Sequence, residues 1–198
     1  MSVNLLCISS GSSSLQFALY QLGAAVETSL ADGMIERIGL PGSHLRIRTA
    51  ATTTARDEPG DVPDSATAVY AAFAALDTLR LPSPDAVGHR VVHGGADHIA
   101  PERVDRQLIE DLRRLVAYAP LHLPAAIQGI EAVAAQFPHS PQVACFDTAL
   151  HRRMPELAQW FPLPRSFWSH AIRAPCSSHP QRGRKEALVT TASLLDRA

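Results

Sequence analysis

Arg90 lies inside Gly88-His89-Arg90-Val91-Val92-His93-Gly94-Gly95, between an apolar run and a double-glycine turn. An arginine so placed can present its planar fork to a carboxylate or a phosphate, or it can be ion-paired within the fold. His89 and His93 are spaced i,i+4, which invites a shared metal. In a strand that spacing spans roughly 13 Å, too far for one ion to bridge. Gly88, Val91 and Val92 argue against a helix, and no HExxH glutamate accompanies the pair, so a shared metal is not expected.

Asp147 directly follows the apolar run Val143-Ala144-Cys145-Phe146. A carboxylate at a strand's carboxyl end can orient Mg²⁺ or a nucleophile, and it can equally cap the following turn. His151 is read as a turn neighbour. His122, in Ala119-Pro120-Leu121-His122-Leu123-Pro124, stands at the mouth of a helix. Helix N-termini favour anions, so an imidazole there can help place a phosphoryl group; a hydrogen-bonded loop histidine is the plainer reading. Gly11-Ser12-Ser13-Ser14 follows a strand directly. Its glycine permits a sharp turn, and its N–H groups and hydroxyls can bond phosphate oxygens. It is not a Walker loop, which needs GxxxxGK[ST] and leads into a helix, and a serine-rich turn can be purely structural.

The elements that must position these groups are readable in outline. Val3–Ile8 and Leu15–Tyr20 read as a strand hairpin, with further antiparallel strands over 26–49, among them Leu45–Arg48. Thr52–Pro63, polar and proline-bearing, reads as a loop. Asp64-Ser65 caps a helix carrying Val69, Ala72, Phe73, Leu76 and Leu79, stopped by Pro82 and Pro84. Ala86–Val92 is a strand. Pro101 opens a helix with Val104, Leu108, Leu112, Leu115 and Val116 on one face, supported by a Glu110–Arg114 pair. Pro124 opens another helix through Ile127, Ile130, Val133 and Ala134, and Gln142–Phe146 is the next strand. Early strands followed by strand–helix alternation imply an α/β domain, a mixed sheet with helices packed on it.

The whole chain sets bounds on function. It has 198 residues, 46% of them hydrophobic and 19% charged, with a net charge of −1. That composition suits one soluble domain, and the charge favours neither nucleic acid nor an anionic membrane. Arg182-Gly183-Arg184-Lys185 is locally basic and reads as a solvated tail. Cys7, Cys145 and Cys176 are odd in number and form no CxxC. Cys7 and Cys145 lie in apolar runs, so both are expected to be small buried hydrophobes in a reducing compartment. With no signal peptide and no run near ~18 apolar residues, a cytoplasmic location is expected.

Taken in order, Gly11–Ser14, GHRVVHGG, APLH and FDTALH, with Met154-Pro155 and Phe161-Pro162-Leu163-Pro164 beyond, closely resemble the acetate kinase family (acetate and propionate kinases). The resemblance runs from residue 3 to about 173. It implies a ribonuclease-H-like domain of the actin and sugar-kinase type and phosphoryl transfer between ATP and acetate with Mg²⁺, giving ADP and acetyl phosphate. It also implies a site between two such domains, usually in a homodimer. By resemblance Arg90 binds the carboxylate or the transferring phosphoryl group, His122 contacts the phosphoryl group, and Asp147 is the catalytic acidic residue. Val92 and Leu121 shape an apolar pocket for the methyl group, and Gly11, Ser12, Ser13 and Ser14 form the phosphate loop.

The chain departs from the family pattern at several points. Ser9 stands where the family has a metal-linked asparagine, so no metal ligand is assigned. Gln16 replaces a lysine, and Leu123 replaces the asparagine between histidine and proline. After Ile172-Arg173 the family continues with a histidine-bearing stretch, whereas this chain reads Ala174-Pro175-Cys176-Ser177-Ser178-His179, with His179 out of register. Members of the family are roughly twice as long. The expectation is an acetate kinase-like domain over 1–173, a divergent tail over 174–198 arising from a frameshift or rearrangement, and an absent C-terminal nucleotide-binding domain. Such a chain would be impaired alone. The alternatives are a non-catalytic remnant or interaction module, or one half of a split kinase completed by a second polypeptide.

Overall fold

The structure, a computed structural model, describes residues 2–23, 27–50 and 52–150. The expectations for His151, Met154-Pro155, Phe161–Pro164, Cys176, His179 and the 174–198 tail lie outside the described residues.

Eight strands form one mixed sheet in the order β5-β4-β3-β2-β1-β6-β8-β7. β1 (Val3–Ser10), β2 (Ser14–Leu22), β3 (Glu27–Glu36), β4 (Ser43–Thr49) and β5 (Thr52–Gly60) make an antiparallel meander. β6 (Ala86–Val91) then pairs parallel with β1, β8 (Gln142–Phe146) pairs parallel with β6, and the short β7 (Glu102–Arg103) closes the edge antiparallel to β8. The carboxyl ends of β1, β6 and β8 therefore meet at one edge of the sheet, beside the β1–β2 turn.

The helices α1 (Ser65–Thr78) and α3 (Leu123–Gln136) share one face of this sheet with α2 (Arg106–Arg114). Alternation along the strands sends Leu6, Ile8, Leu15, Phe17, Leu19 and Val87 toward that face. There they join Val69, Ala72, Phe73, Leu76 and Val133 in the main core. A second cluster of Val91, Leu108, Leu112, Leu123, Ile127, Ile130 and Phe146 lies nearer the carboxyl edge. Each such side chain removed from water contributes about 1.5–3 kcal/mol, so the helices are anchored mainly by these contacts. The opposite face carries Leu5, Cys7 and Ala86. Asp64 caps α1 as expected, its carboxylate accepting from Thr67 N–H at 2.7 Å.

Four expectations are corrected. Thr52–Pro63 is not all loop: Thr52–Gly60 is the edge strand β5, where Pro59 is tolerated because an edge strand need not donate on both sides. Pro101 does not open a helix. Glu102–Arg103 pairs with β8, Val104 N–H bonds Gln142 O, and α2 starts only at Arg106 behind the Asp105 cap. Glu110 pairs with Arg106 rather than Arg114, which turns to Asp111 instead. Cys145 is half-buried rather than buried, near the carboxyl end of β8, whereas Cys7 is buried. Among the described residues no helix is long and apolar enough to cross a membrane.

Candidate active site at the carboxyl edge of the sheet

Register brings the chemistry-bearing residues together. Ser9 on β1 lies opposite Arg90 on β6, Arg90 lies opposite Cys145 on β8, and Asp147 is the next residue but one. The Arg90 guanidinium binds Asp147 through two parallel bonds, Nε to Oδ1 at 2.9 Å and Nη2 to Oδ2 at 2.5 Å. Its Nη1 donates to Ser9 Oγ at 3.2 Å. The Asp147 side chain is 4% exposed and that of Arg90 15%. A forked pair of this kind, sheltered from water, is stronger and more directional than a surface ion pair. It also presents a guanidinium where three strands end, the usual place for ligands in open α/β sheets.

The β1–β2 turn borders this group. Gly11 N–H bonds Ser14 O at 2.7 Å, and a Cβ at Gly11 would stand 2.8 Å from Ser14 Oγ, so a larger residue there would displace that hydroxyl. Ser12 is exposed at its tip, and Ser13 and Ser14 are half-buried. Gln16 lies opposite Ser9 on β2. Its Oε1 is buried with no hydrogen-bond partner among the described residues, and its Nε2 has only Met34 Sδ at 3.7 Å.

His122 occupies the N-cap position of α3 without capping it, since its side chain bonds none of the helix's first N–H groups. Gly129, one helical stretch later, rests against Ser10, where a Cβ would lie 3.2 Å from Ser10 Oγ. Seven residues of α-helix rise about 10 Å, so His122 lies about that far along the α3 axis from where the helix passes the end of β1. Leu121 is 70% exposed and Val92 half-buried. The structure thus joins Ser9, Arg90 and Asp147 in one bonded group. It sets Gly11–Ser14 on the adjoining turn and places His122 and Leu121 on the arm leading into α3.

The histidines flanking Arg90 have separate tasks. His89 points to the helix side, where Nε2 lies 2.7 Å from the Gln142 amide. With that amide turned so its nitrogen donates to His89 Nε2 and Ile130 O, its oxygen accepts from Ala134 N–H, and every group is satisfied. Burial lowers the His89 pKa to about 4, against a smaller opposing effect of the Gln142 bond, so the ring is neutral. His93 Nδ1 accepts from Gly95 N–H at 2.9 Å and its ring stacks on Tyr118, with burial lowering its pKa too. The two rings serve different partners, His89 the Gln142 amide and His93 the Gly95 N–H. Among the described residues no cluster of three His, Cys, Asp or Glu side chains could hold a metal.

Two participants escaped sequence reasoning. Ser9, whose residue type marks it only as a departure from the family pattern, accepts through Oγ from Arg90 Nη1. Thr148 Oγ1 accepts from Gly94 N–H at 3.0 Å, and its only signal was a hydroxyl directly after a strand-end carboxylate.

Comparisons with known proteins converge. The sequence model of the Acetokinase family matches residues 4–178. An acetate kinase of Deinococcus radiodurans is 42% identical over 170 residues, covering 85% of this chain and 42% of that protein. One of Streptomyces coelicolor is 39% identical over 204 residues, covering 100% of this chain and 49% of that protein. Among solved structures, Porphyromonas gingivalis acetate kinase superposes with a TM-score of 0.75 at 30% identity over 87% of this chain and 44% of its own. A propionate kinase of Francisella tularensis gives 0.73 at 29% identity, over 88% and 44%. The chain spans about half the length of the curated relatives it matches.

Proposed function

The chain belongs to the acetokinase family, and from that membership we propose that it carries the carboxylate-side half of an acetate kinase phosphotransfer site. The reaction is ATP plus acetate giving ADP plus acetyl phosphate. The observation that carries this reading is the sheltered Arg90–Asp147 fork at the joint carboxyl edge of β1, β6 and β8. A planar cation there can take a carboxylate in the two-point geometry it already uses for Asp147.

In the forward direction one acetate oxygen forms a bond to the γ-phosphorus as the bond from that phosphorus to the bridging oxygen breaks, its electron pair leaving with ADP. No proton need move. The transition state spreads charge over the equatorial oxygens, so placing donors is most of the catalysis. Arg90 orients the carboxylate, Asp147 holds Arg90 in register and lies beside the reacting oxygens, and His122 donates to the phosphoryl group. The N–H groups and hydroxyls of Gly11–Ser14 receive the nucleotide's phosphates, and Val92 with Leu121 limits the acid to a short chain.

The donor set fits Mg²⁺, which takes hard oxygens, keeps several waters and is held largely by substrate phosphates. Asp147, Ser9 Oγ and the buried Gln16 Oε1, which has no hydrogen-bond partner among the described residues, are oxygen donors of that kind. When bound, Mg²⁺ supplies neutralisation of phosphate charge. A cytoplasmic homodimer, with residues 1–173 as the kinase-like domain and 174–198 as a divergent tail, completes the reading. The chain spans about half the length of the relatives it matches, and in a second reading activity requires a nucleotide half beyond these residues.

The test is ATP formation from acetyl phosphate and Mg·ADP by the purified chain beside Asp147→Asn and Arg90→Ala. Activity in the wild type that both substitutions remove supports the reading. Activity only after adding a C-terminal half from a relative supports the second. Activity untouched by either substitution refutes the assigned site.

A further inference from the structure

Asp147 lies beyond the last ladder pair of β8, Val91 with Phe146, so the sheet no longer fixes its backbone. It opens α4 (Asp147–Leu150), at the point where the chain leaves the ladder. A residue whose carboxylate must meet the Arg90 fork at two points needs another restraint. Thr148 supplies one, because its Oγ1 accepts the Gly94 N–H at 3.0 Å and ties the Asp147 turn to the loop leaving β6.

That loop is a firm anchor. A Cβ at Gly94 would lie 2.7 Å from His98 O and 2.8 Å from the Phe146 ring, so its backbone sits directly on the end of β8. Gly95 has φ of +67°, and a Cβ there would meet Leu115 Cδ2 at 2.9 Å. Its N–H is held by His93 Nδ1, and the His93 ring stacks on Tyr118 with centroids 5.8 Å apart and planes 9° apart. The Gly94-Gly95 turn is therefore clamped from the strand end, from His93 and from the segment after α2. Val92 stands two residues before it.

We propose that Thr148 is a positioning residue for this site: its hydroxyl, bonded to the Gly94 amide, holds Asp147 in its two-point contact with Arg90 and fixes the spacing from that pair to Val92. The argument rests on the Arg90–Asp147 group being the working site, as read above. Threonine suits the task because its branched Cβ leaves the hydroxyl little rotational freedom.

The experiment compares Thr148→Val, which keeps the shape and loses the acceptor, with Thr148→Ser, which keeps the acceptor, in the full chain. The readout is NMR exchange of the Arg90 Nε–H, a proton committed to Asp147, alongside the Gly94 amide. One lost hydrogen bond predicts exchange of both protons roughly 5–10-fold faster in Thr148→Val. Thr148→Ser should stay close to wild type. If Thr148→Val does not fold, Thr148→Ala is the second acceptor-free variant. Faster exchange at Gly94 with an unchanged Arg90 Nε–H overturns the proposal, leaving Thr148 a loop fastener only. Equal damage from serine and valine also overturns it. The measurement needs no turnover, so failure of the kinase reading and failure of this assignment are distinguishable. Where turnover is present, kcat should fall in Thr148→Val with KM for the carboxylate little changed.

Discussion

Acidification should loosen this fold through His89 before its carboxylates begin to protonate. His89 is 3% exposed, and burial depresses its pKa to about 4. In the unfolded chain the ring titrates near 6.5, so between those values the unfolded state binds the extra proton. The stability His89 permits is therefore complete above pH ~6.5 and is lost as the pH falls toward 4. Taking the two limits, the loss at pH 5 is about 2 kcal/mol, and it levels off near 3 kcal/mol below pH 4. Against a domain stability of ~5–15 kcal/mol that is a large share. The assay is urea unfolding at pH 7.5 and pH 5 for wild type and His89→Gln. The wild type should lose about 2 kcal/mol more than the variant across that interval. His93, depressed in the same direction, adds to both proteins and cancels in the difference. Equal pH dependence in the two proteins, or an NMR titration placing His89 near its ordinary value, would refute the reasoning.

Arg90→Ala should destabilise by about 3–5 kcal/mol, since it strands a carboxylate whose side chain is 4% exposed. Adding Asp147→Asn should recover part of that loss in the same unfolding assay, because a neutral amide does not need the guanidinium. Gly94→Ala should cost about 1–3 kcal/mol from the clash of its Cβ with His98 O and the Phe146 ring, measured as a lowered unfolding midpoint.

What the sequence made legible follows burial. β1, β2, α1, α3 and β8 were readable because their apolar positions repeat at the period of the element and face one core. β5 was not, because an edge strand carries little of that pattern, and its Thr-rich, Pro59-bearing run looks like a loop until β4 pairs with it. The start of α2 was misplaced because Pro101 signals a helix locally, while the ladder to β8 and the Asp105 cap decide the boundary through tertiary contacts. At the site, residue types spoke clearly and pairings did not. Arg90 and Asp147 are 57 positions apart, and their fork exists only because β6 and β8 run parallel in a register that sets Arg90 beside Cys145. Thr148 was invisible for the same reason, its partner being a backbone amide 54 positions away.

The charge balance of the bonded group suits the carboxylate side of the proposed reaction. Arg90 and Asp147 cancel, and Ser9 adds only a neutral hydroxyl. An arriving carboxylate must compete with Asp147 for the guanidinium, a planar array of five N–H donors. A transferring phosphoryl group brings further negative charge, and its transition state needs that charge met at the equatorial oxygens. The turn at Gly11–Ser14 can meet it with N–H and hydroxyl dipoles but with no cation, and Gln16 beside Ser9 is neutral. Under the proposed reaction, then, the described residues orient the acceptor acid, while most of the positive charge for the phosphates must come from Mg²⁺ and from groups beyond them. A carboxylate should accordingly bind this chain with little dependence on Mg²⁺, whereas nucleotide binding should depend on it strongly. Titrations of acetate and of ADP, each with and without the metal, test that division; equal metal dependence for both ligands would refute it.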